Sequence, residues 1–145
     1  MTSDISPWTW RGQPFTENDV GAWFGFVYEI TNTITGKRYI GRKYFYSTNR
    51  VKQKGKKNRK IVRKQSDWQK YYGSSKTLIA DIELHGKENF KREILSLHEG
   101  RGDVNYHELK EQIVRDVLND DTYYNDNIFT RFFRKKNKTK SEFKE

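Results

Sequence analysis

A stretch of aromatic and β-branched residues between positions 25 and 41 places the strongest constraint on the fold of this chain. It consists of Gly-Phe-Val-Tyr-Glu-Ile, a turn-forming Thr-Asn-Thr-Ile-Thr-Gly, and Lys-Arg-Tyr-Ile-Gly, a pattern that predicts a β-hairpin. A turn centred near Thr33 and Ile34 predicts that Tyr28 pairs with Tyr39, so that two phenols share one face. Gly41 points to the same face and has no side chain, so a bulky group can approach it. Tyr and Gly also suit ordinary hairpins, so the stretch alone leaves a purely structural interpretation open.

Hydrophobic patterning predicts further elements after this hairpin. A helix begins at Ser74 or Ser75 and ends before Gly86, with a stripe through Leu78, Ile79, Ile82 and Leu84 or His85. Residues 89–97 are short and apolar enough for a third strand. Residues 104–118 form a second helix, whose predicted buried stripe contains Tyr106, Leu109, Ile113, Val114, Val117 and Leu118.

The spacing of Phe26-Val27-Tyr28 and Tyr39-Ile40-Gly41 resembles the signature of the GIY-YIG nuclease superfamily. The second element matches in full, whereas Phe26 stands where the first usually has Gly. Later residues follow the order seen in phage homing endonucleases of this superfamily: Ser74-Ser75-Lys76, His85-Gly86, Phe90, Ile94-Leu95 and Tyr123-Tyr124-Asn125. The resemblance covers about residues 24–126. It implies an α+β fold with a small antiparallel three-stranded sheet flanked by helices.

Composition limits the partners and the cellular setting. The chain of 145 residues carries 29 Lys and Arg against 19 Asp and Glu, a formal charge of +10, which predicts a polyanionic partner. No apolar stretch has the length of a membrane span, and no secretory pattern opens the chain, so we expect a soluble, cytoplasmic protein. The absence of Cys excludes disulfides, thiolate nucleophiles and Cys-ligated zinc.

The whole chain, residues 1–145, is predicted to form one domain, since no linker divides it. Outside the core at 24–126 lie an N-terminal arm at 1–23 and a basic, frayed tail at 131–145. The arm is rich in aromatic residues (Trp8, Trp10, Phe15 and Trp23) and is expected to pack on the domain. Stacking of these Trp residues on nucleobases is the alternative.

Residues 50–64 form the most basic segment. Nine of these fifteen residues are Lys or Arg and none is acidic, which predicts a mobile loop insertion that contacts phosphates without reading bases. A solvated surface loop is the alternative. The predicted nucleic-acid-binding residues are Arg42, Lys43, Lys52, Lys54, Lys56, Lys57, Arg59, Lys60, Arg63 and Lys64.

A carboxylate that holds a hard divalent cation is the common solution to phosphodiester hydrolysis, and the second helix offers Glu108 and Glu111. Glu111 falls nearer the edge of the predicted stripe, whereas Glu108 points away from it. The resemblance places a metal-binding Glu in a helix ahead of the Tyr-Asn pair. We therefore predict Glu111 as the ligand of Mg²⁺, or of another divalent cation such as Mn²⁺, with Glu108 in reserve. A solvent-facing Glu is the alternative.

The resemblance also assigns Tyr28 as the general base and Tyr39 as its partner. A phenol has a pKa of about 10, so a nearby cation must lower it for this role. An Arg after the Tyr-Ile-Gly strand stabilises the phosphate in the family. Asn49 occupies that place here, so the role falls to Arg50 one position later.

The family often has a His or Lys just before the first core helix, and this sequence has Gly73 there. Tyr72, Lys70 or Lys76 could substitute. The His residues lack metal-ligand spacing, and His85 and His98 are predicted to be surface or helix-end residues.

These features favour a metal-dependent DNA endonuclease of the phage GIY-YIG type, acting in the host cell and leaving 5′-phosphate and 3′-hydroxyl ends. A catalytically degenerate nucleic-acid-binding protein on the same scaffold is the alternative, and a basic ribosome-associated protein is a more remote one. Double-stranded DNA is the expected partner. Homing relatives usually join this module to a DNA-reading domain, so specificity is expected to be low or to come from a separate partner.

Overall fold

The computed structural model describes residues 6–135 of the chain. The strands are β1 (Trp8–Trp10), β2 (Gln13–Pro14), β3 (Gly25–Asn32), β4 (Arg38–Tyr44), β5 (Tyr46–Val51), β6 (Lys60–Gln65), β7 (Phe90–His98), β8 (Asn127–Ile128) and β9 (Phe132–Phe133). The helices are α1 (Lys76–His85) and α2 (Arg101–Val114). Within the described range, no helix has the length and apolar character needed to cross a membrane.

The main sheet has five strands in the order β2-β1-β7-β3-β4, so the prediction of three antiparallel strands is corrected. The three predicted strands are present, with β7 and β4 antiparallel to β3 on either side of it. The N-terminal arm supplies the other two, because β1 pairs with β7 in parallel and β2 pairs with β1. Trp8 of β1 is buried, which draws the arm into the sheet.

The β3–β4 hairpin is confirmed, but its register differs from the prediction by two residues. Tyr28 pairs with Gly41, and Tyr39 pairs with Ile30. The Asn32 side chain shifts the turn, because its Oδ1 accepts hydrogen bonds from the backbone N–H groups of Ile34 and Thr35. Since the shift is an even number of residues, both phenols keep the same face.

The two helices lie against different hydrophobic clusters. Helix α1 begins after the predicted cap, since Ser75 Oγ accepts a hydrogen bond from the Leu78 N–H, and it ends before Gly86. Leu78 and Ile82 are buried against Phe26 and Ile30, whereas Ile79 and Leu84 of the predicted stripe are exposed. On the other side, Val104 of α2 packs with Val27 and Ile40.

The predicted buried stripe of the second helix is wrong in part: Val117 is buried and Leu109 and Leu118 pack against the same cluster, but Tyr106, Ile113 and Val114 are exposed. Ile113 and Val114 are 59% and 73% exposed, and the buried line consists of Val104, Glu108 and Gln112. The two polar members of this line have partners: Glu108 accepts a hydrogen bond from Arg42, and Gln112 donates one to the Ile40 carbonyl. Polar pairing therefore allows Glu108 and Gln112 to be buried on the same line as the apolar Val104.

The basic segment at 50–64 is also corrected, because it is not an irregular loop. Strands β5 and β6 pair antiparallel as a separate two-stranded sheet, with residues 52–59 between them. Val51, Ile61 and Val62 favour strand conformation, although all three are exposed. We call residues 46–65 the basic ribbon.

The start of the C-terminal tail is ordered instead of frayed. Strands β8 and β9 form a short hairpin, and the Arg134 guanidinium donates to the carbonyls of Val117, Asp120, Tyr123 and Asn125. The remainder of the predicted tail, residues 136–145, and the first five residues of the arm lie outside the described residues.

Arg92 on the central strand β7 joins three segments of the fold. The residue is 1% exposed. Its guanidinium donates hydrogen bonds to the carbonyls of Ser6, Gln69 and Tyr71. Burial lowers the pKa of this guanidinium to about 10, so the group is desolvated and is held by carbonyl dipoles. Arg92 therefore ties the arm and the segment before α1 to the sheet.

Replacing Arg92 by Met is expected to lower the free energy of unfolding by about 3 kcal/mol, because three part-buried hydrogen bonds from a charged donor to carbonyls are lost. Urea denaturation measures the change. Lys91→Met is the matched control, since Lys91 is exposed on the same strand and pairs only with Glu93 there. That control is expected to change stability by less than about 0.5 kcal/mol. Equal stabilities for both variants would remove the structural role assigned to Arg92.

Candidate active site

A cleft of about 470 Å³ opens at the edge of strand β4 and brings four chemically distinctive side chains together. Tyr28, Tyr39, Arg42 and Glu108 all line it. Its other lining residues are Lys43, Tyr44, Tyr46, Ser47, Thr48, Ser66, Tyr71, Ser74 and Arg101. An adjoining cleft of about 650 Å³ shares Tyr39, Arg42, Ser74 and Glu108 with the first.

These four side chains reach one cleft from both faces of the sheet. Strand β4 is the last in the sheet order, so groups on its two faces can meet around its edge. Tyr39 and Gly41 lie on the face of Tyr28, whereas Arg42 alternates to the face covered by α2. Helix α2 then supplies Glu108 to the Arg42 side chain. The site therefore requires that no further strand pairs with this stretch of β4.

The two phenols sit against Gly41. Their ring centroids are 6.2 Å apart, and a Cβ added at Gly41 would lie 2.5 Å from Tyr28 Oη and 2.9 Å from Tyr39 Cε2. The prediction that a bulky group approaches Gly41 is thus confirmed, and the group is the Tyr28 ring itself. Only glycine leaves room for both rings at this position.

Burial makes both phenols harder to deprotonate than a free phenol. It raises the pKa of Tyr28 well above its ordinary value, and the neighbouring Tyr39 and Tyr71 raise it further. Burial also raises the pKa of Tyr39 to about 12, although a hydrogen bond with Ser74 opposes the shift. In the absence of an added cation, the two hydroxyls therefore act as hydrogen-bonding groups and not as bases.

Glu108 is buried and forms an ion pair with Arg42, with 2.7 Å between Glu108 Oε1 and Arg42 Nη1. Desolvation raises the pKa of Glu108, and the positive charge of Arg42 opposes this shift. The prediction that Glu108 points away from the core is wrong. Its helix turns the Val104–Glu108–Gln112 line inward, so the reserve carboxylate is the one in the cleft.

Glu111, predicted as the metal ligand, lies in a different charged cluster. Its Oε1 accepts a hydrogen bond from Arg115 Nε at 3.0 Å, and Arg115 Nη1 lies 2.7 Å from Glu29 Oε2. Neither cleft at the β4 edge includes Glu111 among its lining residues. Glu111 lies on another side of the same helix, where it pairs with Arg115 four residues later.

Arg50, predicted to stabilise the phosphate, lies on strand β5 of the basic ribbon and is exposed. It does not line either cleft. Arg42, predicted only as a nucleic-acid contact, takes the central place because it follows Gly41 directly on β4 and alternates toward α2. An Arg that shares the cleft with the phenols therefore comes earlier in the sequence than predicted.

The other predicted nucleic-acid contacts fall into two places. Lys43 lies in the cleft, where its Nζ is 2.7 Å from Asp67 Oδ1 and 4.1 Å from the Tyr71 ring centroid. The rest belong to the basic ribbon: Lys52, Lys54, Lys56, Lys57 and Arg59 in the connection, and Lys60, Arg63 and Lys64 on β6.

Gly73 lies beside both phenols, in the place where the family often has His or Lys. Its φ of +91° is unfavourable for other residues, and an added Cβ would meet Leu78 Cδ2 at 2.9 Å. Of the suggested substitutes, Tyr72 is buried against Arg92, and Lys76 lines only the adjoining cleft. Tyr71 and Ser74, which the sequence analysis did not assign to the site, occupy the space near the phenols.

Asn125 fixes strand β4 from outside the sheet. Its Oδ1 accepts from the Ile40 N–H at 3.0 Å, and its Nδ2 donates to the Ile40 carbonyl at 2.8 Å. The side-chain amide thus replaces a neighbouring strand at this point of the edge. The Tyr-Asn resemblance identified the residue, but the sequence alone did not indicate this contact.

A second group of possible metal ligands lies at the start of α2, away from the cleft. One ligand atom each from His98, Asp103 and His107 lies within 4.8 Å of the others. His98 is buried at the end of β7, and its Nδ1 is 2.5 Å from Asp103 Oδ2. The prediction of a surface His98 is therefore wrong. The strand–helix junction brings these residues together, which linear spacing does not show.

The residues at the β4 edge fit a hard divalent cation. Among the described residues, the hydrogen bonds to the Glu108 carboxylate reach only Oε1, and the carboxylate lines both clefts. Mg²⁺ is commonly held by one or two carboxylates together with water and substrate phosphate. Glu108 could therefore hold such an ion from the protein side.

Comparison with known protein families gives a match over most of the chain. The family model described as "Putative endonuclease segE, GIY-YIG domain" matches residues 8–128, which include every strand and helix from β1 to β8. No curated protein and no solved structure gives a significant match to the chain. The match extends the resemblance of 24–126 into the N-terminal arm, which agrees with the presence of β1 in the sheet.

Proposed function

Because this chain belongs to the SegE GIY-YIG family of the GIY-YIG nuclease superfamily, we propose that it is a metal-dependent DNA endonuclease. The proposed reaction is hydrolysis of a backbone phosphodiester. Water adds to phosphorus, and the bond from phosphorus to the 3′ oxygen breaks, which leaves 5′-phosphate and 3′-hydroxyl ends. A phage origin and a role of the homing type are part of the proposal.

The observation that carries this proposal is the convergence of Tyr28, Tyr39, Arg42 and Glu108 on one open cleft. Phosphodiester hydrolysis needs positive charge for the phosphate, a carboxylate for a cation and hydroxyl groups that orient water. The cleft holds these groups together, and Lys43 and Arg101 add positive charge to its lining.

We assign Arg42 and Glu108 to the roles first predicted for Arg50 and Glu111. Arg42 would contact the phosphate, since its guanidinium offers several donors and Glu108 occupies only part of them. Glu108 would hold the divalent cation, Mg²⁺ or Mn²⁺. When bound, the cation would offset the charge that develops on the phosphate oxygens.

Tyr28 and Tyr39 would orient the attacking water by hydrogen bonding. Their raised pKa values oppose proton acceptance by either phenol alone. Acceptance of the water proton by Tyr28 requires positive charge beside the cleft, which Arg42 supplies in part. Tyr28 as general base therefore remains a proposal.

A non-cleaving nucleic-acid-binding protein is the second candidate, and Gly73 is the observation that favours it. The position next to both phenols carries no proton-accepting side chain, and its backbone leaves no room for one. Such a protein would retain the cleft and the basic ribbon as a phosphate-binding surface without turnover.

Incubation of supercoiled plasmid with the full chain distinguishes the two candidates. We expect nicking with Mg²⁺ and none with chelator, whereas a non-cleaving protein would only retard the plasmid. Tyr28→Phe should lose nicking by about 100-fold or more, because the ring still fills the space beside Gly41 and only the hydroxyl is lost. Urea denaturation of this variant checks the fold. Wild-type nicking by Tyr28→Phe would return Tyr28 to a packing role.

Lysines in the connection of the basic ribbon and at the start of β6 should contribute salt-sensitive DNA affinity through phosphate contacts. Replacing Lys54, Lys56, Lys57 and Lys60 by Ala is expected to flatten the dependence of log affinity on log salt by up to about 3 to 4 units, since each phosphate neutralised contributes about 0.9. Fluorescence anisotropy at several salt concentrations measures the slope. Relative preference among sequences should not change. An unaltered slope would mean that DNA is held elsewhere.

A further inference from the structure

The basic ribbon is exposed on both faces. All six residues of β6 are exposed, as are five of the six in β5, and neither strand pairs with the main sheet. A two-stranded hairpin with no cover is only marginally stable in water. Because the ribbon is strongly positive, a basic or apolar protein surface is a poor binding partner for it. A polyanion has the complementary charge.

The base of the ribbon is attached firmly to the core. Phe45, which precedes β5, is buried, and Ser66, which follows β6, donates its N–H to the Phe45 carbonyl at 2.9 Å. Ser66 Oγ also donates to the Tyr44 carbonyl at 2.6 Å. The ribbon therefore projects in a direction that the core sets, unlike the mobile loop expected from composition.

The register divides the ribbon into two chemically different faces. Residues on the first, the arginine face, are Tyr46, Thr48, Arg50, Ile61, Arg63 and Gln65. Residues on the second, the lysine face, are Ser47, Asn49, Val51, Lys60, Val62 and Lys64. The Arg63 guanidinium lies 4.0 Å from the Tyr46 ring centroid, a contact that orients it on the arginine face.

The arginine face suits base recognition. Arg forms paired hydrogen bonds with guanine in the major groove, and Gln can do the same with adenine, whereas Lys acts mainly as a point charge. The B-DNA major groove is wide enough for a two-stranded β-ribbon. The major groove of duplex RNA is too narrow for such readout.

The arginine face is also continuous with the candidate active site. Tyr46 and Thr48 line the same cleft as Tyr28 and Glu108, where Ser47 at the start of the lysine face joins them. Each strand of the ribbon has six residues, and six residues span about 20 Å at about 3.3 Å per residue. This length corresponds to about six base pairs of duplex at about 3.4 Å each. DNA held in the cleft could therefore place its adjacent major groove on the ribbon.

We propose that the basic ribbon enters the DNA major groove and reads base edges through Arg50 and Arg63. This inference rests on DNA being the ligand of the proposed nuclease. It means that the basic ribbon of the nuclease chain itself recognises the DNA sequence. It replaces the expectation that this segment contacts phosphates alone. Lysines of the connection and of the lysine face then provide phosphate contacts beside the groove.

Selection from a randomised duplex library tests the proposal in chelator, where binding is measured without cleavage. Wild type is expected to enrich a motif that contains guanine. The double variant Arg50→Lys/Arg63→Lys keeps the charge and loses the paired donors, so preference at the corresponding positions should fall by roughly 5- to 150-fold. Its salt slope should equal that of wild type. The matched control Lys60→Arg/Lys64→Arg, on the lysine face, should enrich the wild-type motif.

A modified guanine in the selected duplex then tests whether the major groove is the one that is recognised. Replacing the selected guanines by 7-deazaguanine removes the N7 acceptor and keeps base pairing, so wild-type affinity should fall and that of the double variant should not. The proposal is overturned if wild type enriches no motif, if the double variant enriches the same motif, or if duplex RNA competes equally. A failure of plasmid nicking alone would overturn the nuclease proposal and leave these binding results valid.

Discussion

Glu108→Gln is expected to lower Mg²⁺-dependent nicking by at least about 100-fold while DNA binding in chelator persists. The substitution keeps the size of the side chain and removes the charge that would hold the cation. Glutamine can still meet Arg42, so the helix should remain in place. Nicking rates with Mg²⁺, together with anisotropy in chelator, separate loss of chemistry from loss of binding.

Glu111→Gln is the matched control, because it makes the same change three positions further along α2. Glu111 pairs with Arg115 outside the cleft, so this variant should nick at nearly the wild-type rate. An inactive Glu111→Gln beside an active Glu108→Gln would restore the assignment first drawn from the sequence. The pair of variants therefore decides which carboxylate serves the reaction.

Gly41→Ala is expected to remove nicking and to lower the free energy of unfolding by about 1 to 3 kcal/mol. The added Cβ would lie 2.5 Å from Tyr28 Oη and 2.7 Å from Tyr28 Cζ, so the buried Tyr28 ring must move. Tyr39 Cε2, at 2.9 Å, restricts that movement. Urea denaturation and plasmid nicking measure the two effects separately.

Gly102→Ala is the control for this substitution. A Cβ at Gly102 meets nothing within 4 Å, and the residue lies in the first turn of α2. Alanine there should leave nicking unchanged and could stabilise the helix by up to about 1 kcal/mol. Wild-type stability and activity in Gly41→Ala would show that the phenols can move freely, against the packing described for the cleft.

The sequence predicted the elements that depend on local patterns. The β3–β4 hairpin, the cap of α1 at Ser75 and the strand β7 follow from strand-forming runs and capping chemistry. The register of the hairpin was missed by two residues, because the Asn32 side chain closes a longer turn. Such a contact depends on a single side chain, and periodicity does not report it.

The candidate site was harder to predict because polar contacts determine it. Helix α2 buries Glu108 against Arg42 and leaves Ile113 exposed, so its buried face is not the one that apolar spacing indicates. Family resemblance supplied Tyr28 and Tyr39 but gave Glu111 and Arg50 in place of Glu108 and Arg42. That Glu108 and Arg42 line the cleft becomes visible only when α2 is placed on the sheet.

The parallel pairing of β1 with β7 has a consequence for the order of folding. Trp8 pairs with Arg92, and β7 lies between β1 and β3 in the sheet. During synthesis, β1 therefore cannot pair with β7 until β7 has been made, more than 80 residues later. Pairing between segments so far apart in sequence slows folding. Glu108 and Asn125, which contacts Ile40, are synthesised after β7. A nascent chain would thus acquire its complete cleft only after nearly all of the matched region has left the ribosome.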